Sequence, residues 1–545
     1  MGLFCSNGIF IKYLNYKIEI FRITVFARHS NSVYNNRYTF IQEGEPWDSW
    51  GRFLLTFIKK GFENLSSDER IGLIDKGAMR ILRAFHEDGF EAFIVGGCVR
   101  DLMMKLEPHD WDITTSALPD ETIRVAESRG WKAIGGEGRR FGTVIIVIDG
   151  MSYEVTTFRS ETYGQDAHRP SEVHFASDLK EDLMRRDFTV NAMAVDADGV
   201  IYDYFDGVSD LDRKRLRTVG ESSKRFSEDA LRLFRACRFL GQLDFMADRS
   251  LIDGMPSAFE RVKGLSLERV ESEIDRLIVT PHAARGFDLL VRTGLNECFC
   301  HATEYGKETE IAILPELSHL VGLPQQKEFH KFDGWYHTLA VLDASKPLLI
   351  NRWAALLHDV GKGMPGVRGI HKGRLTDYGH DKKGAEMTRA LLKHWKRPKA
   401  FVNRVTWLVE NHMRFHTIAN DPKSHPDKWI RQIAREKAFP TSADVSEAML
   451  QMTDLSIADI IGCGNPDADT RGHQEIGEYM SRLALEIPVS TKELHYDKRV
   501  PLLLGEKTPE GMKNLLIRVQ SGSLENEPAA IYDAAVRYMR RRSHE

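Results

Sequence analysis

The chain has 545 residues, enough for roughly three or four domains, and its composition (42% hydrophobic, 28% charged) is that of a globular protein. The net charge of −4 argues against a surface coated with basic residues, so nucleic-acid binding would need local patches such as Arg185-Arg186, Lys382-Lys383 and Arg540-Arg541-Arg542. Six scattered cysteines show neither zinc spacing nor a disulfide framework, and no uncharged apolar run of about 18 residues predicts a membrane span. We therefore expect a cytoplasmic protein.

The N-terminal segment gives little indication of structure. Gly8 to Phe26 is apolar and aromatic, but charged residues interrupt it, so it lacks the continuous apolar centre of a signal peptide. We expect residues 1–65 to be a poorly ordered extension or the product of an upstream start, with a transit peptide as the weaker alternative. Apolar positions then recur at helical spacing from Arg70 to Gly89, which predicts an amphipathic helix before the first strand.

The stretch from Phe93 to Thr115 carries the strongest chemical pattern. An apolar run leads into Gly96-Gly97, a helix carrying Arg100 follows, and a predicted strand, His109 to Thr114, contains Asp110 and Asp112. Alternate strand residues share a face, so the two carboxylates should lie side by side, which favours a cation between them. Glycines let a triphosphate approach the backbone closely, and Mg²⁺ prefers carboxylate and phosphate oxygens. The pattern predicts metal-assisted nucleotidyl transfer, whereas a surface loop remains the alternative for either feature alone.

Two strands are predicted next, Thr143 to Ile148 and Tyr153 to Phe158, joined by an Asp149-Gly150 hairpin turn. Glu154 on the second strand is a candidate third carboxylate, although a surface position is an equal alternative. Ser160 to Asp182 is polar, without sustained periodicity, and is interpreted as a mobile loop.

Two arginine-containing segments follow. Leu183 to Ala194 (LMRRDFTVNAMA) contains Arg186, Asp187 and Asn191, which could equally form an exposed, paired cluster. Ser227 to Phe239 (SEDALRLFRACRF) predicts one helix capped by Ser227. On that helix Asp229 and Arg232 would share a face, as in an ordinary helical salt bridge.

A second set of candidate ligands lies in the later half of the chain. A His-Asp dipeptide on a helix, converging with a distant His and Asp, would supply nitrogen and oxygen ligands for a divalent metal. Further histidines would allow two metal ions. The choice of residues follows from a resemblance to the HD phosphohydrolase pattern, which His337, His358, Asp359 and Asp459 match in order; His380 and His412 are additional candidates.

Several of these segments resemble one family. GGCVRD with HDWDITTSALP, the LMRRDFTVNAMA segment and the SEDALRLFRACRF segment resemble the motifs of the bacterial-type (class II) tRNA nucleotidyltransferase and poly(A) polymerase family. HKFDGWYHTL and AALLHDVGK resemble the surroundings of an HD phosphohydrolase site. The resemblance covers roughly residues 75–530.

The resemblance implies a role for each candidate residue. Arg186 and Asp187 would lie near the incoming ribose, and Asn191 would help to build the site. Asp229 and Arg232 would read the Watson–Crick edge of the incoming base, with Arg235 and Arg238 also in the nucleotide site. An Asp can accept from an exocyclic amine and an Arg can donate to the neighbouring ring atom, a pattern that CTP and ATP share. Glu268 and Arg269 would brace the nucleotide-binding helix from a second helix, Gly264 to Leu277.

The resemblance also implies an α+β fold. A polymerase-β-like head with a mixed sheet would precede a mostly helical neck, a body with an HD domain, and a tail. The expected boundaries are residues 66–220 for the head, 221–290 for the base-recognising neck, 291–485 for the body and 486–545 for a tRNA-binding tail.

The implied reaction is template-independent addition of CMP and AMP to the tRNA 3′ end, with two Mg²⁺ ions held by Asp110 and Asp112. The cofactors are thus Mg²⁺ in the head and an unspecified divalent metal in the HD site. The implied partners are CTP, ATP and the tRNA 3′ end. The alternatives are A-only, CC-only or poly(A) addition, or mainly an HD phosphohydrolase acting on a phosphomonoester or 2′,3′-cyclic phosphate. A non-catalytic RNA-binding protein is the weakest alternative.

Overall fold

The computed structural model describes residues 61–163, 170–176, 178–304, 306–421, 423–465 and 467–542. The chain divides into two compact units, Met1–Glu69 and Arg70–Glu545. The prediction for residues 1–65 lies outside the described residues as far as residue 60. Within the ranges that the structure describes, no helix is both long enough and apolar enough to cross a membrane.

The head is built on a seven-stranded mixed sheet, which agrees with the predicted fold class. Its strand order is β3-β4-β5-β2-β1-β8-β9, and only the β2–β5 pair is parallel. The strands of this sheet are β1 (Ala92–Val95), β2 (Asp112–Thr115), β3 (Lys132–Ile134), β4 (Thr143–Ile148), β5 (Met151–Thr157), β8 (Met193–Val195) and β9 (Ile201–Asp203). The helices up to the end of the head are α1 (Ser67–Ile71), α2 (Lys76–Glu87), α3 (Gly97–Met103), α4 (Pro119–Ser128), α5 (Leu179–Met184) and α6 (Gly207–Asp212).

The hairpin predicted between β4 and β5 is confirmed. Asp149 and Gly150 both have positive φ (52° and 83°), the geometry that a two-residue hairpin turn needs. The first predicted helix is shorter than expected, because Asp75 accepts hydrogen bonds from the Gly77 and Ala78 amides and so starts α2 at Lys76.

The interpretation of Ser160 to Asp182 as a mobile loop did not anticipate regular secondary structure, which its described part contains. β6 (Arg159–Tyr163) and β7 (Pro170–Phe175) pair as an antiparallel ribbon, and α5 follows at Leu179. A ribbon outside the main sheet needs no buried face, so its sequence lacks the apolar alternation that marks a half-buried strand.

The single helix predicted from Ser227 is also wrong. Ser227 lies inside α7 (Ser222–Glu228), and Asp229 has extended backbone (φ −143°, ψ 104°) before α8 (Leu231–Leu243) begins. The Asp229 carboxylate accepts the Leu231 amide at 2.9 Å, so this residue separates two helices. An acidic residue can equally follow one helix and open the next, and the local pattern does not distinguish these cases.

The remainder of the described chain is mostly helical. One connected cluster of buried apolar side chains includes residues from Phe188 to Val489. A second, separate cluster, from Leu494 to Ala535, forms the core of the tail. The remaining helices are α9 (Arg249–Gly254), α10 (Leu267–Ile278), α11 (Ala283–Arg292), α12 (Gly334–Ala344), α13 (Leu349–Leu357), α14 (His380–His394), α15 (Lys399–Asn420), α16 (Pro426–Glu436), α17 (Ser442–Gly462), α18 (Arg471–Glu486), α19 (Arg499–Leu504), α20 (Thr508–Gln520) and α21 (Pro528–Arg542).

Short pairs of strands and 3-10 helices complete the structure. The paired strands are β10 (Arg215–Leu216) with β11 (Met246–Ala247), β12 (Phe299–Glu304) with β13 (Lys307–Ala312), and β14 (Arg368–His371) with β15 (Arg374–Asp377). The 3-10 helices are Phe62–Asn64, Glu137–Phe141, Thr189–Asn191, Met255–Gly264, Leu295–Glu297, Pro315–Leu320, Thr491–Glu493 and Gly505–Lys507.

Arg397 joins α10 to the helices of the body. Its buried guanidinium pairs with Glu271 at 2.7 Å and with Asp275 at 2.6 Å, and it lies over the ring of Trp353. The Trp353 indole also donates to Asp275 at 3.0 Å. A buried cation is therefore neutralised by two carboxylates on one helix.

Replacing Arg397 with methionine is expected to lower the free energy of unfolding by about 3 kcal/mol, because it leaves two carboxylates without their buried partner. Arg276→Met is the matched control on the same helix, since that side chain is 65% exposed and lies 3.9 Å from Glu273; its effect should stay within about 0.5 kcal/mol. Urea unfolding of both variants measures the difference. Equal changes in the free energy of unfolding of the two variants would contradict the role of Arg397 in holding α10 against the body.

Candidate active site

The head site begins at the glycine turn after β1. Gly96 has φ +83°, and a Cβ atom there would lie 2.8 Å from Nη1 of Arg186 and 3.8 Å from Oδ2 of Asp112. The positive φ therefore requires glycine, whereas the Arg186 guanidinium is the end of a flexible side chain and can move away from a Cβ. A Cβ on Gly97 would meet only Arg100 at 3.7 Å, an ordinary contact. Backbone conformation thus explains Gly96 but not Gly97, whose phosphate-binding role stays a prediction.

The carboxylates gather beside this turn. Asp112 opens β2 and is paired in register with Glu154 of the parallel neighbour β5. The predicted strand starts later than expected, because β1 ends at Val95 and Gly96 turns away, leaving the residues before Asp112 without a partner strand. Asp110 therefore lies in a bend just ahead of the sheet.

The electrostatics of these carboxylates favour a cation. The pKa of Asp112 is raised, mainly because surrounding protein removes water from the carboxylate; Arg186 opposes this rise and Asp110 adds to it. The pKa of Glu154 is raised by the same loss of water and by the charge of Asp112. Three acidic groups in one patch, all oxygen donors, fit the ligand preference of Mg²⁺.

A chain of buried polar groups lies beside the acidic patch. Arg100 donates to Asn191 at 2.7 Å, Asn191 donates to Asp187 at 3.2 Å, and Arg235 donates to the other oxygen of Asp187 at 2.7 Å. Burial alone would raise the pKa of Asp187, but Arg235 outweighs it and brings the value to about 2. The head and α8 are thereby joined through an ionised aspartate.

Asp229 and Arg232 lie next to each other at the start of α8. Burial raises the pKa of Asp229 to about 6, although the charge of Arg232 opposes the rise. Arg232 donates to Glu228 at 2.9 Å and to the Arg185 carbonyl at 3.0 Å. Glu228 thus holds the arginine beside the aspartate.

One contact that holds α8 involves a residue that the sequence analysis did not single out. Arg238 donates to Glu273 of α10 at 2.6 Å and lies over the ring of Phe239. Glu268, one of the two predicted support residues, is exposed on that helix. Glu273 lies one and a half turns further along the same helix, where the motif gave no reason to look.

In the body, five segments bring the predicted HD residues to one place. His337 lies on α12, His358 and Asp359 follow α13, and the other three come from the start of α14 (His380), from α15 (His412) and from the end of α17 (Asp459). All six side chains are buried or nearly so.

Three of these histidines are held in the same way. The Nδ1 atoms of His358, His380 and His412 each lie 2.7 to 2.8 Å from the backbone carbonyl three residues earlier. An imidazole that donates from Nδ1 presents the lone pair of Nε2, which is how metal-bound histidines are usually oriented. The Nε2 atoms accordingly face the common centre.

The donor atoms form two sets that share Asp359. Its Oδ2 lies 3.3 Å from His337 and 3.2 Å from His358, and its Oδ1 lies 3.3 Å from His380. His337, His358 and Asp459 form one candidate ligand group, and Asp359, His380 and His412 form another. Mixed imidazole and carboxylate groups of this kind fit transition metals, and Asp359 would be available to an ion in either set.

Charge compensation supports that interpretation. Burial alone would lower the pKa of His337, but Asp359 and Asp459 outweigh it and raise the value to about 9. The pKa of each aspartate is held well below its ordinary value despite burial, by His358 and Lys362 for Asp359 and by His337 and His416 for Asp459. The two ionised aspartates thus favour positive charge at this buried centre.

Several neighbours of this centre were missed. Nζ of Lys362 lies 2.6 Å from Oδ2 of Asp359, and Nε2 of His416 lies 2.9 Å from Oδ2 of Asp459. His416 follows His412 by four residues, so helical spacing could have placed both on one face of α15. His330 and Cys463, which lie against His337, had no comparable signal because they are 133 residues apart.

Three segments match models of known families. Residues 92–217 match the "Poly A polymerase head domain", residues 245–301 match the "Probable RNA and SrmB- binding site of polymerase A", and residues 334–486 match the "HD domain". The acidic patch lies in the first match and the histidine cluster in the third.

Curated relatives are similar over part of their length. The chain is 40% identical over 241 residues to the CCA-adding enzyme of Lactobacillus johnsonii, which covers 44% of this chain and 59% of that protein. It is 46% identical over 210 residues to the CCA-adding enzyme of Staphylococcus haemolyticus, covering 38% and 51%. The chain thus spans between half and three fifths of these relatives.

The solved structure of the Bacillus stearothermophilus CCA-adding enzyme in complex with CTP extends the similarity. It matches 86% of this chain and 98% of its own, with 28% identity and a TM-score of 0.58. A CCA-adding enzyme in complex with ATP, at 15% identity and a TM-score of 0.52, supports the fold alone. With its poly(A) polymerase head, RNA-binding region and HD domain, the chain belongs to the class II CCA-adding enzyme and poly(A) polymerase family.

Proposed function

We propose that this protein is a CCA-adding tRNA nucleotidyltransferase, which adds CMP and AMP to the tRNA 3′ end without a template and releases pyrophosphate. The observation that carries the proposal is the register of Asp112 with Glu154 beside the Gly96 turn, with Asp110 adjacent. Similarity to CCA-adding enzymes supports the choice of reaction.

In the proposed mechanism Asp110 and Asp112 hold Mg²⁺, and Glu154 is the third acidic group of the site. The metal, when bound, makes the 3′-hydroxyl a better nucleophile and stabilises the leaving pyrophosphate. Gly96 leaves room for phosphate against the backbone, and Arg186 adds positive charge beside the carboxylates. The protein contributes positioning and electrostatics, as nucleotidyl and phosphoryl transfer require.

Base selection is assigned to Asp229 and Arg232. The carboxylate accepts from the exocyclic amine of C or A, and the guanidinium donates to the adjacent ring nitrogen. UTP and GTP do not present that pattern. Arg186 and Asp187 are proposed near the ribose, while Arg100, Asn191, Arg235 and Arg238 hold the nucleotide site together through the contacts described above.

The ionisation of Asp229 gives a pH test. With a pKa of about 6, the carboxylate loses its accepting charge as pH falls through 6, so the KM for CTP should rise about tenfold between pH 7 and pH 5. Because the folded pKa lies above the ordinary 3.8, protonation favours the fold, so this loss is one of binding rather than of stability.

The matched variant for this test is Asp229→Asn, which cannot ionise. Its KM at pH 7 should already be raised, and the KM ratio of variant to wild type should fall towards one at pH 5. Steady-state kinetics on a tRNA lacking CCA measure both. A ratio independent of pH would contradict the assignment.

A sizing experiment distinguishes the members of the family. Purified protein with Mg²⁺ is incubated with labelled CTP, ATP or both, and with tRNA transcripts that end before CCA, after CC and after CCA. Addition of CCA to the first transcript followed by a stop supports the proposal. A-only, CC-only or a long A ladder would each select the corresponding alternative.

A second activity is proposed for the HD cluster: hydrolysis of a phosphomonoester or 2′,3′-cyclic phosphate. Two donor sets that share the buried Asp359 favour it, because two neighbouring ions can bind both a phosphate and the attacking water. The cytoplasm and a tRNA-binding role for the tail remain predictions.

A further inference from the structure

A third group of donor atoms contains His337 of the first HD set together with His330 and Cys463, two residues that neither the transferase site nor the HD sets use. Nδ1 of His330 and Sγ of Cys463 are 3.4 Å apart, and these residues and His337 each offer a ligand atom within 4.8 Å of the others. The Lys331 amide donates to the Cys463 carbonyl at 3.1 Å, which ties the two backbones together. The group therefore combines one sulfur and two imidazoles.

His337 differs from the other histidines of the cluster. Its Nε2 faces Asp459 at 3.1 Å, but its Nδ1 is buried and has no hydrogen-bond partner among the described residues. The carbonyl that would correspond to the partner of the other three, that of Gly334, accepts the Thr338 hydroxyl at 2.8 Å instead. A buried ring nitrogen without a partner is costly, so the position favours a ligand.

We propose that His330, Cys463 and Nδ1 of His337 form a separate, sulfur-containing site for a thiophilic divalent ion such as Zn²⁺, with solvent completing the coordination. Zinc binds thiolate and imidazole together, whereas the HD sets contain only nitrogen and oxygen. Binding would form a sulfur–metal bond and release the thiol proton to solvent.

The geometry gives His337 a defined role in this site. With the ion on Nδ1, Nε2 keeps its proton and donates to Asp459, the orientation that carboxylates commonly impose on metal-bound histidines. The same nitrogen is then unable to bind an ion of the first HD set. Occupation of the sulfur site therefore opposes occupation of that set.

Cobalt distinguishes the sulfur site from the HD sets in the full-length protein. Cobalt(II) bound to a thiolate gives a near-ultraviolet charge-transfer band, which nitrogen and oxygen ligands do not give. Chelator-treated protein titrated with Co²⁺ should develop this band, rising to one equivalent. Absence of the band in wild-type protein that has bound cobalt would overturn the proposal, whatever the variants do.

Four variants locate the band. Cys463→Ser should abolish it, and His330→Phe should weaken cobalt binding there by about tenfold or more. Cys298→Ser, which changes another half-buried cysteine, should leave it unchanged. His358→Asn should keep it while lowering the cobalt bound without sulfur. A band that survives Cys463→Ser, or that disappears with His358→Asn, would overturn the assignment.

Discussion

Asp110→Ala is expected to lower nucleotide incorporation by about a thousandfold or more while leaving the fold intact. Asp110 lies in a bend outside the sheet, so its removal breaks no strand pairing. What it removes is negative charge beside Asp112, whose pKa it helps to raise. The proposed site would then hold Mg²⁺ through fewer oxygens, and the developing charge on the pyrophosphate would lose its compensation.

The measurement is incorporation of labelled CMP into a tRNA transcript without CCA, at saturating Mg²⁺. Asp120→Asn is the matched control, because that aspartate is exposed at the start of α4 and contacts Arg139 instead. The amount of metal bound by the HD cluster should be unchanged in both variants. That result would assign the loss of incorporation to the head. Retained incorporation by a pure Asp110→Ala sample would rule out the assigned metal site.

The local sequence pattern was sufficient to predict that the glycine turn and Asp112 lie close together in the head. Gly96 and Asp112 are 16 residues apart, and the helix α3 with the loop that follows it returns the chain from the glycine turn to the start of β2, beside Gly96. Glu154 was left undecided by the sequence, because its position depends on which strand lies beside β2. The parallel β2–β5 pairing places Glu154 opposite Asp112 on an exposed part of the strand, and its role as a third carboxylate stays a prediction.

Where a prediction from the sequence was wrong, the local pattern allowed two structures and tertiary contacts determined which of them formed. Asp229 interrupts a stretch whose composition suits one helix, since its side chain caps the following turn from a buried position. His416 shares helical spacing with His412, but its contact with Asp459 depends on the packing of a distant helix. No local motif marks Cys463, which comes from another distant helix end. The resemblance named the candidate metal ligands of the body, but the residues behind those candidates emerge only from packing.

Asp359→Asn should abolish binding of the two ions proposed for the HD cluster and leave nucleotide incorporation within about twofold of wild type. Asparagine keeps the volume of the side chain but has an amide NH₂ group in place of one carboxylate oxygen. The two oxygens of Asp359 lie beside His337 and His380, one in each donor set, so asparagine cannot supply an oxygen to both sets. Ion affinity should fall by about a hundredfold or more. Metal content per chain after equilibration with Mn²⁺ or Ni²⁺ measures the loss.

The stability of this variant needs separate control, because Lys362 lies 2.6 Å from Asp359 and would keep a buried charge without its partner. The double variant Asp359→Asn with Lys362→Met removes that charge and should recover about 2 kcal/mol or more of the free energy of unfolding, without recovering metal. Asp381→Asn, on the first turn of α14 and outside both donor sets, should retain metal and stability. Because the shared carboxylate is the feature that unites the two sets, full metal content in folded Asp359→Asn protein would mean that the ions are held elsewhere.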